Sequence, residues 1–426
     1  MIYLRAFVGI VVLLSLAWLM SANRRRFPWR VVVWGIGLQV VLAALILGTG
    51  VGIDALESAK DFVVRLIQVN ERGTKMVFGN DLPARTGAEF IFAFASSGLI
   101  VIIFFSALMS VLYHLGIMQV IIWVMAKIMS ALMGVSGAES MAMAANIFAG
   151  QTEAPLVVRP YIPTMTMSEL NALMTGGFAT VAGSVLAVYI GVVGPDVGAH
   201  LLTASLLSAP AAFVIAKIIR PEVDEPVTGR HVKLRIERTA HNLIEAAANG
   251  TQDGLKLWLN VIAMLIAFTA LIELVNWPLG AAGEAWLGMG EGELSVSKVF
   301  GWVLSPLAWC LGVNNWHDCQ LVGGLIGTKL AINELVAFFD LGVLLGPINE
   351  AGQHPESQFL SPRSAKLAAY AMCGFANFAS IGIQLGGITP LAPERKTDLT
   401  KLALRAMLGG ALASSCTAAV AGMFID

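Results

Sequence analysis

Six stretches of this chain, residues 6–22, 31–50, 90–113, 201–219, 257–275 and 402–424, each approach the length of a membrane-crossing helix and are almost free of charge. Only Lys217, Glu273 and Arg405 interrupt them. A helix needs roughly 20 apolar residues to cross a hydrocarbon core of about 30 Å. Over the 426 residues, 57% are hydrophobic and 13% are charged, about half the charged fraction of a soluble domain. Lipid is therefore the solvent for most of the chain, and backbone groups must find their hydrogen bonds inside it.

The first run is followed by Arg24-Arg25-Arg26 and then at once by a second run, so it reads as a span and not as a cleaved leader. A net charge of −1 argues against nucleic acid as a partner. Cys310, Cys319, Cys373 and Cys416 all lie in apolar segments and read as buried reduced thiols. Basic residues cluster at 24–30, 217–238 and 395–401, whereas 280–293 is acidic. If the basic clusters face the cytoplasm, both termini lie outside and the number of crossings is even.

Comparison of the chain with itself shows four matches in the same order. Phe105-Ser106-Ala107-Leu108 resembles Phe268-Thr269-Ala270-Leu271. Trp123-Val124, with Leu132-Met133-Gly134-Val135 behind it, resembles Trp302-Val303 followed by Cys310-Leu311-Gly312-Val313. Gly150-Gln151-Thr152-Glu153 falls opposite the stretch from Gly327 to Glu334, and Gly177-Phe178-Ala179-Thr180 opposite Gly374-Phe375-Ala376-Asn377. Each copy holds three spans and one interrupted stretch. Three is odd, so the second copy enters the membrane from the opposite face, the inverted-repeat plan of secondary transporters.

The interrupted stretches, 136–164 and 314–345, have arms too short to cross and read as re-entrant hairpins. The first has its tip at Gly150 to Pro155, with Pro155 suited to the first turn of a returning helix. The second has Gly323, Gly324, Gly327, Asn333 and Glu334 near its tip. The segments that follow carry Thr180, Gly183 and Ser184, or Asn377, Ser380 and Gly382, in mid-span. Unwound backbone at that depth must be buried or line a cavity. Hairpin tips meeting broken helices would offer helix-end groups and side-chain hydrogen bonders to a polar neutral solute beside a small cation. A charge at the bilayer centre costs about 2.5–3.5 kcal/mol on insertion scales, which marks Glu153 and Glu334.

Plainer readings stand beside these. Glu153 could cap its own hairpin, Glu334 could pair with Lys329, and Asn377 and Ser380 could be helix–helix glue. His317-Asp318 reads as a polar helix start and the methionines of 125–143 as packing surface. Enzyme motifs find no support: there is no Gly-x-Ser-x-Gly elbow, no His-Glu-x-x-His pair, and 324–329 lacks the order of a phosphate loop.

At GQTEAPL (150–156), MTGGFATVAGSVLAVYI (174–190), GTKLAINE (327–334) and CGFANFASIGI (373–383) the chain resembles the concentrative nucleoside transporter family, and the resemblance extends from about residue 90 onward. It implies an all-α polytopic membrane protein of about eight transmembrane helices plus two re-entrant hairpins. It also implies a homotrimer whose mobile transport part works as an elevator against a scaffold, in a bacterial inner membrane. Its function would be sodium-coupled import of nucleosides such as uridine, with proton coupling or a passive channel as alternatives. By position, Gln151, Thr152 and Glu153 would face the nucleobase with Phe375 packed on it. Glu334, Asn377 and Ser380 would bind the ribose hydroxyls, with Val185 lining that end. Na⁺ would be held by carbonyls of Asn146, Ala149 and Val181 and the hydroxyl of Thr180, hard oxygens for a hard cation.

The expected division is a scaffold part, 1–115, with an extramembrane segment at 52–88. A transport part follows at 116–220. A loop and long scaffold span occupy 221–282, and the second transport part covers 283–426.

Overall fold

The computed structural model describes residues 2–78, 100–229, 240–290, 292–346 and 360–425. Among these, every regular element is helical. Three helices lead: α1 (Ile2–Leu19), α2 (Trp29–Leu47) and α3 (Gly50–Phe78). Helix α3 covers the first part of the expected extramembrane segment; residues 79–88 lie outside the described ones, as does the start of the third apolar run.

The first repeat begins with α4 (Val101–His114) and α5 (Ile117–Met133). Gly116, at φ +81°, lets the chain bend by 75° between them. Then come α6 (Gly137–Asn146), the short α7 (Ala154–Val157), a 3₁₀ turn at Arg159–Thr164, α8 (Met167–Ala179) and α9 (Gly183–Ile219). The second repeat follows the same order. It comprises α10 (Leu243–Leu287), α11 (Val296–Cys310), α12 (Trp316–Ala331), α13 (Glu334–Leu345), α14 (Pro362–Met372), α15 (Phe378–Ile388) and α16 (Lys396–Ala421). Corresponding helices end alike. Both α5 and α11 are followed by a positive-φ glycine, Gly134 at +73° and Gly312 at +103°.

The stretch Met167–Ile219 runs for 53 residues. As one helix it would be about 80 Å long, far more than one crossing. It is folded back by two breaks: an extended segment at 180–182, and Gly194 at φ +79° followed by Pro195. In the second repeat, 373–377 and the turns at 389–395 play the same parts.

The first hairpin differs from expectation in its returning arm, which is a four-residue helix and a 3₁₀ turn. Pro155, Pro160 and Pro163 lack the N–H that a continuing helix needs. In the second hairpin, α12 and α13 are two full arms with the turn at Ile332-Asn333. Gly323, Gly324 and Gly327 lie within α12 and not at the tip. They open a groove for α11: added Cβ atoms would stand 3.0 Å from Gly301 O, 2.8 Å from Ser297 Oγ and 2.1 Å from Phe300 Cβ.

Helix caps fix where each arm starts. Ser136 and Glu139 form a capping box at α6, and Thr166 and Glu169 form one at α8. Asn315 accepts from Asp318 N at 2.6 Å, so Asp318 belongs to a polar helix start. Lys217, counted in the sequence among the loop cations, is buried: its Nζ lies 2.7 Å from Glu139 and 3.2 Å from Glu222, and donates to Ser168 Oγ at 2.9 Å. The lysine thus ties the end of α9 to the bases of α6 and α8. The N-terminal helices are fastened symmetrically. Arg5 donates to Trp309 O at the end of α11 and to Val313 O just beyond it, and Arg30 donates to Ala131 O and Leu132 O at the end of α5.

Candidate functional site

Glu334 opens α13 at the tip of the second hairpin, directly after the cap residue Asn333, whose side chain accepts from Val336 N at 2.9 Å. Its carboxylate is buried yet fully engaged. Tyr189 donates its hydroxyl to Oε1 at 2.8 Å, and Asn377 donates from Nδ2 to Oε2 at 2.9 Å. Tyr189 comes from the first arm of α9 and is held by stacking on Phe338, with ring centroids 4.3 Å apart. Val185 lies one turn before Tyr189 and is buried. Asn377 caps α15, accepting from Ser380 N at 2.7 Å. Asn377 thus joins the Glu334 carboxylate to the N-terminus of α15, where Ser380 contributes its backbone N–H.

The expected partner of Glu334, Lys329, goes elsewhere. Its ammonium donates to Ala371 O at 3.0 Å and Ser414 Oγ at 3.2 Å. Lys329 and Glu334 thus form no close ion pair among the described residues, and the carboxylate is held by Tyr189 and Asn377 instead.

At the first hairpin, Gly150 N donates to Glu153 Oε2 at 3.0 Å, so one oxygen of Glu153 does cap its own turn. Gln151 is 6% exposed and its Oε1 has no hydrogen-bond partner among the described residues. A buried amide oxygen left without a donor is costly, which marks it as a waiting acceptor. Thr152 is half-buried, and Phe375 is half-buried in the break before α15.

Helix α15 links the two tips. Asn377, Ser380 and Gln384 recur at helical spacing on one face. Asn377 meets Glu334, while a Cβ on Gly177 would lie 2.4 Å from Gln384 Nε2 and 2.9 Å from Gln151 Cβ. A Cβ on Gly387 would lie 2.6 Å from Thr152 Cγ2. Seven residues of helix separate Asn377 from Gln384, about 10 Å of rise, a span fit for a base joined to a ribose.

The four expected Na⁺ ligands fall on two touching segments. Gly183 N donates to Phe148 O at 2.9 Å, which joins the end of α6 to the break between α8 and α9. Thr180 Oγ1 donates to Gly176 O at 2.9 Å, leaving its lone pairs for a cation. Asn146 is fully buried, and neither atom of its side-chain amide has a partner among the described residues. Val181 and Ala149 are buried beside them. The expected donors, three carbonyls and one hydroxyl, are all oxygen and belong to buried residues, a set that fits Na⁺.

Sequence reading missed Tyr189 and Gln384. A tyrosine hydroxyl in a buried span needs a partner, and that was the available signal for Tyr189. Gln384 gave a similar one, a lone amide in an apolar helix, with nothing to show which neighbour it meets.

Three family models match: the N-terminal part of Na⁺-dependent nucleoside transporters at residues 8–81, a nucleoside-recognition gate at 95–196, and the transporters' C-terminal part at 200–422. An uncharacterized transporter of Haemophilus influenzae is 42% identical over 99% of this chain and 98% of its own. Sodium/nucleoside cotransporter 1 of Rattus norvegicus is 42% identical over 98% of this chain, which spans 63% of that relative's length. Among solved structures, CNTnw in an inward-facing substrate-bound state is 38% identical, with a TM-score of 0.89 over 100% of this chain and 98% of that one. A CNTnw variant in an outward-facing state gives 0.90 over the same shares. The resemblance read at the two hairpins therefore extends along the whole chain, and this protein belongs to the Na⁺-dependent, concentrative nucleoside transporter family, a family of transporters and not of enzymes.

Proposed function

We propose that the chain imports nucleosides such as uridine together with Na⁺. In this reading Glu334, Asn377 and Ser380 bind the ribose hydroxyls, Val185 lines that end, and Gln151, Thr152 and Glu153 read the base against Phe375. The observation that carries it is the Glu334 carboxylate, fixed by Tyr189 and by Asn377 at the start of α15, with Gln384 about 10 Å further along that helix and, like Gln151, against Gly177. A diol donates two hydrogen bonds that a carboxylate accepts well. An amide offers a donor and an acceptor to a base edge.

Na⁺ at Asn146, Ala149, Thr180 and Val181 would order the first hairpin against the α8–α9 break, which completes the base end of the site. Occupancy of the ion site would thus favour nucleoside binding, and the reverse holds by linkage. One charge moving down about 100 mV supplies about 2.3 kcal/mol. At 1.4 kcal/mol per tenfold, this drives roughly 40-fold accumulation before any Na⁺ gradient is added.

The movement we assign is an elevator: transport parts at 116–220 and 283–426 slide against a scaffold of 1–115 and 221–282. Close packing of α10 on α4 supports a rigid scaffold, since a Cβ on Gly250 would meet Ser106 O at 2.6 Å and one on Gly254 would meet Ile103 Cα at 2.7 Å. The long apolar face of α10 is exposed, which suits a homotrimer built around it. We place the protein in a bacterial inner membrane with both termini periplasmic, following the basic clusters.

Uridine uptake into proteoliposomes with and without an inward Na⁺ gradient tests the reading. Uptake that ignores Na⁺ and follows a pH gradient would replace Na⁺ by a proton. Passive equilibration without accumulation would indicate a channel, and no uptake of any nucleoside would sink the assignment.

A further inference from the structure

Lys329 is 1% exposed, and among the described residues it makes no ion pair. Such a charge inside a membrane protein needs a reason. Its surroundings are those of a small cation. The ammonium donates to Ala371 O, in the last turn of α14, and to Ser414 Oγ. Ser414 in turn donates to Cys373 O at 2.7 Å and Gly410 O at 3.0 Å. The charge thus sits at the carbonyl end of a half-helix, where the helix dipole is negative, and where broken-helix transporters hold their coupling cations.

The inverted repeat says what this place corresponds to. Lys329 lies in the last turn of α12, the first arm of the second hairpin, against the break between α14 and α15. Its counterpart is the end of α6 against the break between α8 and α9. Those are the segments of Asn146, Ala149, Thr180 and Val181. There the first repeat has no lysine; it has an amide without a partner among the described residues and a threonine hydroxyl that gives its proton to Gly176 O and keeps its lone pairs.

We propose that the ammonium of Lys329 is a tethered cation, standing in the second repeat where Na⁺ stands in the first. The proposal rests on the Na⁺ reading of the first repeat. It makes the two hairpins unequal: the first closes on its broken helix only when an ion arrives, the second is closed by its own side chain. Glu334 therefore stays at the ribose whether or not Na⁺ is present, and only the base end is gated. It also fixes the stoichiometry, because one of two equivalent ion positions is already filled.

Equilibrium binding of ²²Na⁺ to the purified full-length protein with saturating uridine reads this directly. One Na⁺ per protomer, bound more weakly in Thr180→Val, is the expected result. Two Na⁺ per protomer would overturn the proposal, whereas no Na⁺ at all would sink the ion site on which it rests. Lys329→Ala, which leaves the carbonyls and a hole, should melt at a lower temperature than the wild type. Ethylammonium should raise that melting temperature, and tetramethylammonium, which donates no hydrogen bond, should not. An unshifted melting temperature, or one that ethylammonium leaves where it was, would overturn the tethered-cation role. Where Lys329→Ala cannot be purified, the wild-type count of bound Na⁺ decides alone.

Discussion

Asn377 donates to Glu334 at 2.9 Å across 43 residues of sequence, and the same side chain accepts from Ser380 N at 2.7 Å. One amide thereby joins the tip of the second hairpin to the start of α15 and sets the carboxylate in place. Replacing Asn377 by Ala removes a hydrogen bond to a charged group, worth about 1.5–3 kcal/mol, together with a helix cap worth about 1 kcal/mol. We expect uridine affinity to fall by roughly 10- to 100-fold, and Glu334→Gln to fall at least as far, as measured by equilibrium binding of radiolabelled uridine. Affinity close to wild type in either variant would remove that residue from the site.

Tyr189→Phe isolates one hydrogen bond. The ring keeps its stacking on Phe338, so the fold should be undisturbed, while Glu334 loses its donor at 2.8 Å. A smaller fall in uridine affinity than for Glu334→Gln follows, with a modest fall in melting temperature without ligand. If the melting temperature drops and affinity holds, Tyr189 is structural only.

The hydroxyl of Thr180 separates the ion from the substrate. Thr180→Ser keeps the oxygen and should keep the Na⁺ dependence of uptake. Thr180→Val keeps the volume and removes the ligand, so the Na⁺ concentration for half-maximal uptake should rise, with uridine affinity at saturating Na⁺ nearly preserved. Equal Na⁺ curves for the three proteins would exclude Thr180 as a ligand.

The parts of this fold legible in sequence were those with a large energetic signature. Apolar runs gave the helices, because lipid tolerates little else, and the order of small motifs gave the inverted repeat and the places of both hairpins. What escaped depended on contacts between distant segments. Gly323 and Gly324 read as turn residues, although they serve the close approach of α11, since a glycine's spelling is the same for a turn and for a groove. The returning arm of the first hairpin was expected to be helical despite Pro155, Pro160 and Pro163. Lys329 was weighed only as a partner for Glu334, its neighbour in sequence, whereas its flexible stem reaches Ala371 and Ser414. Lys217 reads as a loop cation because it stands three residues from Arg220; its burial is decided with Glu139, which sequence spacing does not bring near it.

Gly177 gives a steric test of the base end. A Cβ there would lie 2.4 Å from Gln384 Nε2 and 2.9 Å from Gln151 Cβ, distances that real side chains do not tolerate. Gln384 Nε2 is also held by Met174 O at 3.0 Å, so it cannot simply swing away. Overpacking of this kind costs about 1–3 kcal/mol, and here the strain falls on Gln151. Gly177→Ala should therefore weaken binding of intact uridine more than binding of free ribose, read by competition against radiolabelled uridine. Equal weakening of both would mean that the strain spreads through the whole site.

The last prediction concerns the cluster at the base of the first hairpin. Lys217 is 3% exposed and stands 2.7 Å from Glu139, which is 2% exposed, so the pair has little access to water. Glu222, also on Lys217, is more open at its side chain and can be resolvated. Removing the cation alone leaves Glu139 charged and buried, a change that costs about 3–5 kcal/mol in comparable pairs. Lys217→Met should accordingly lower the melting temperature of the detergent-solubilised protein sharply. Lys217→Met combined with Glu139→Gln should recover much of the loss, since replacing both charges removes the unpaired one and keeps most of the volume. If the double variant were as unstable as Lys217→Met alone, the lysine would act through Ser168 and Glu222 instead, and the tie between α6 and α9 would not rest on this pair.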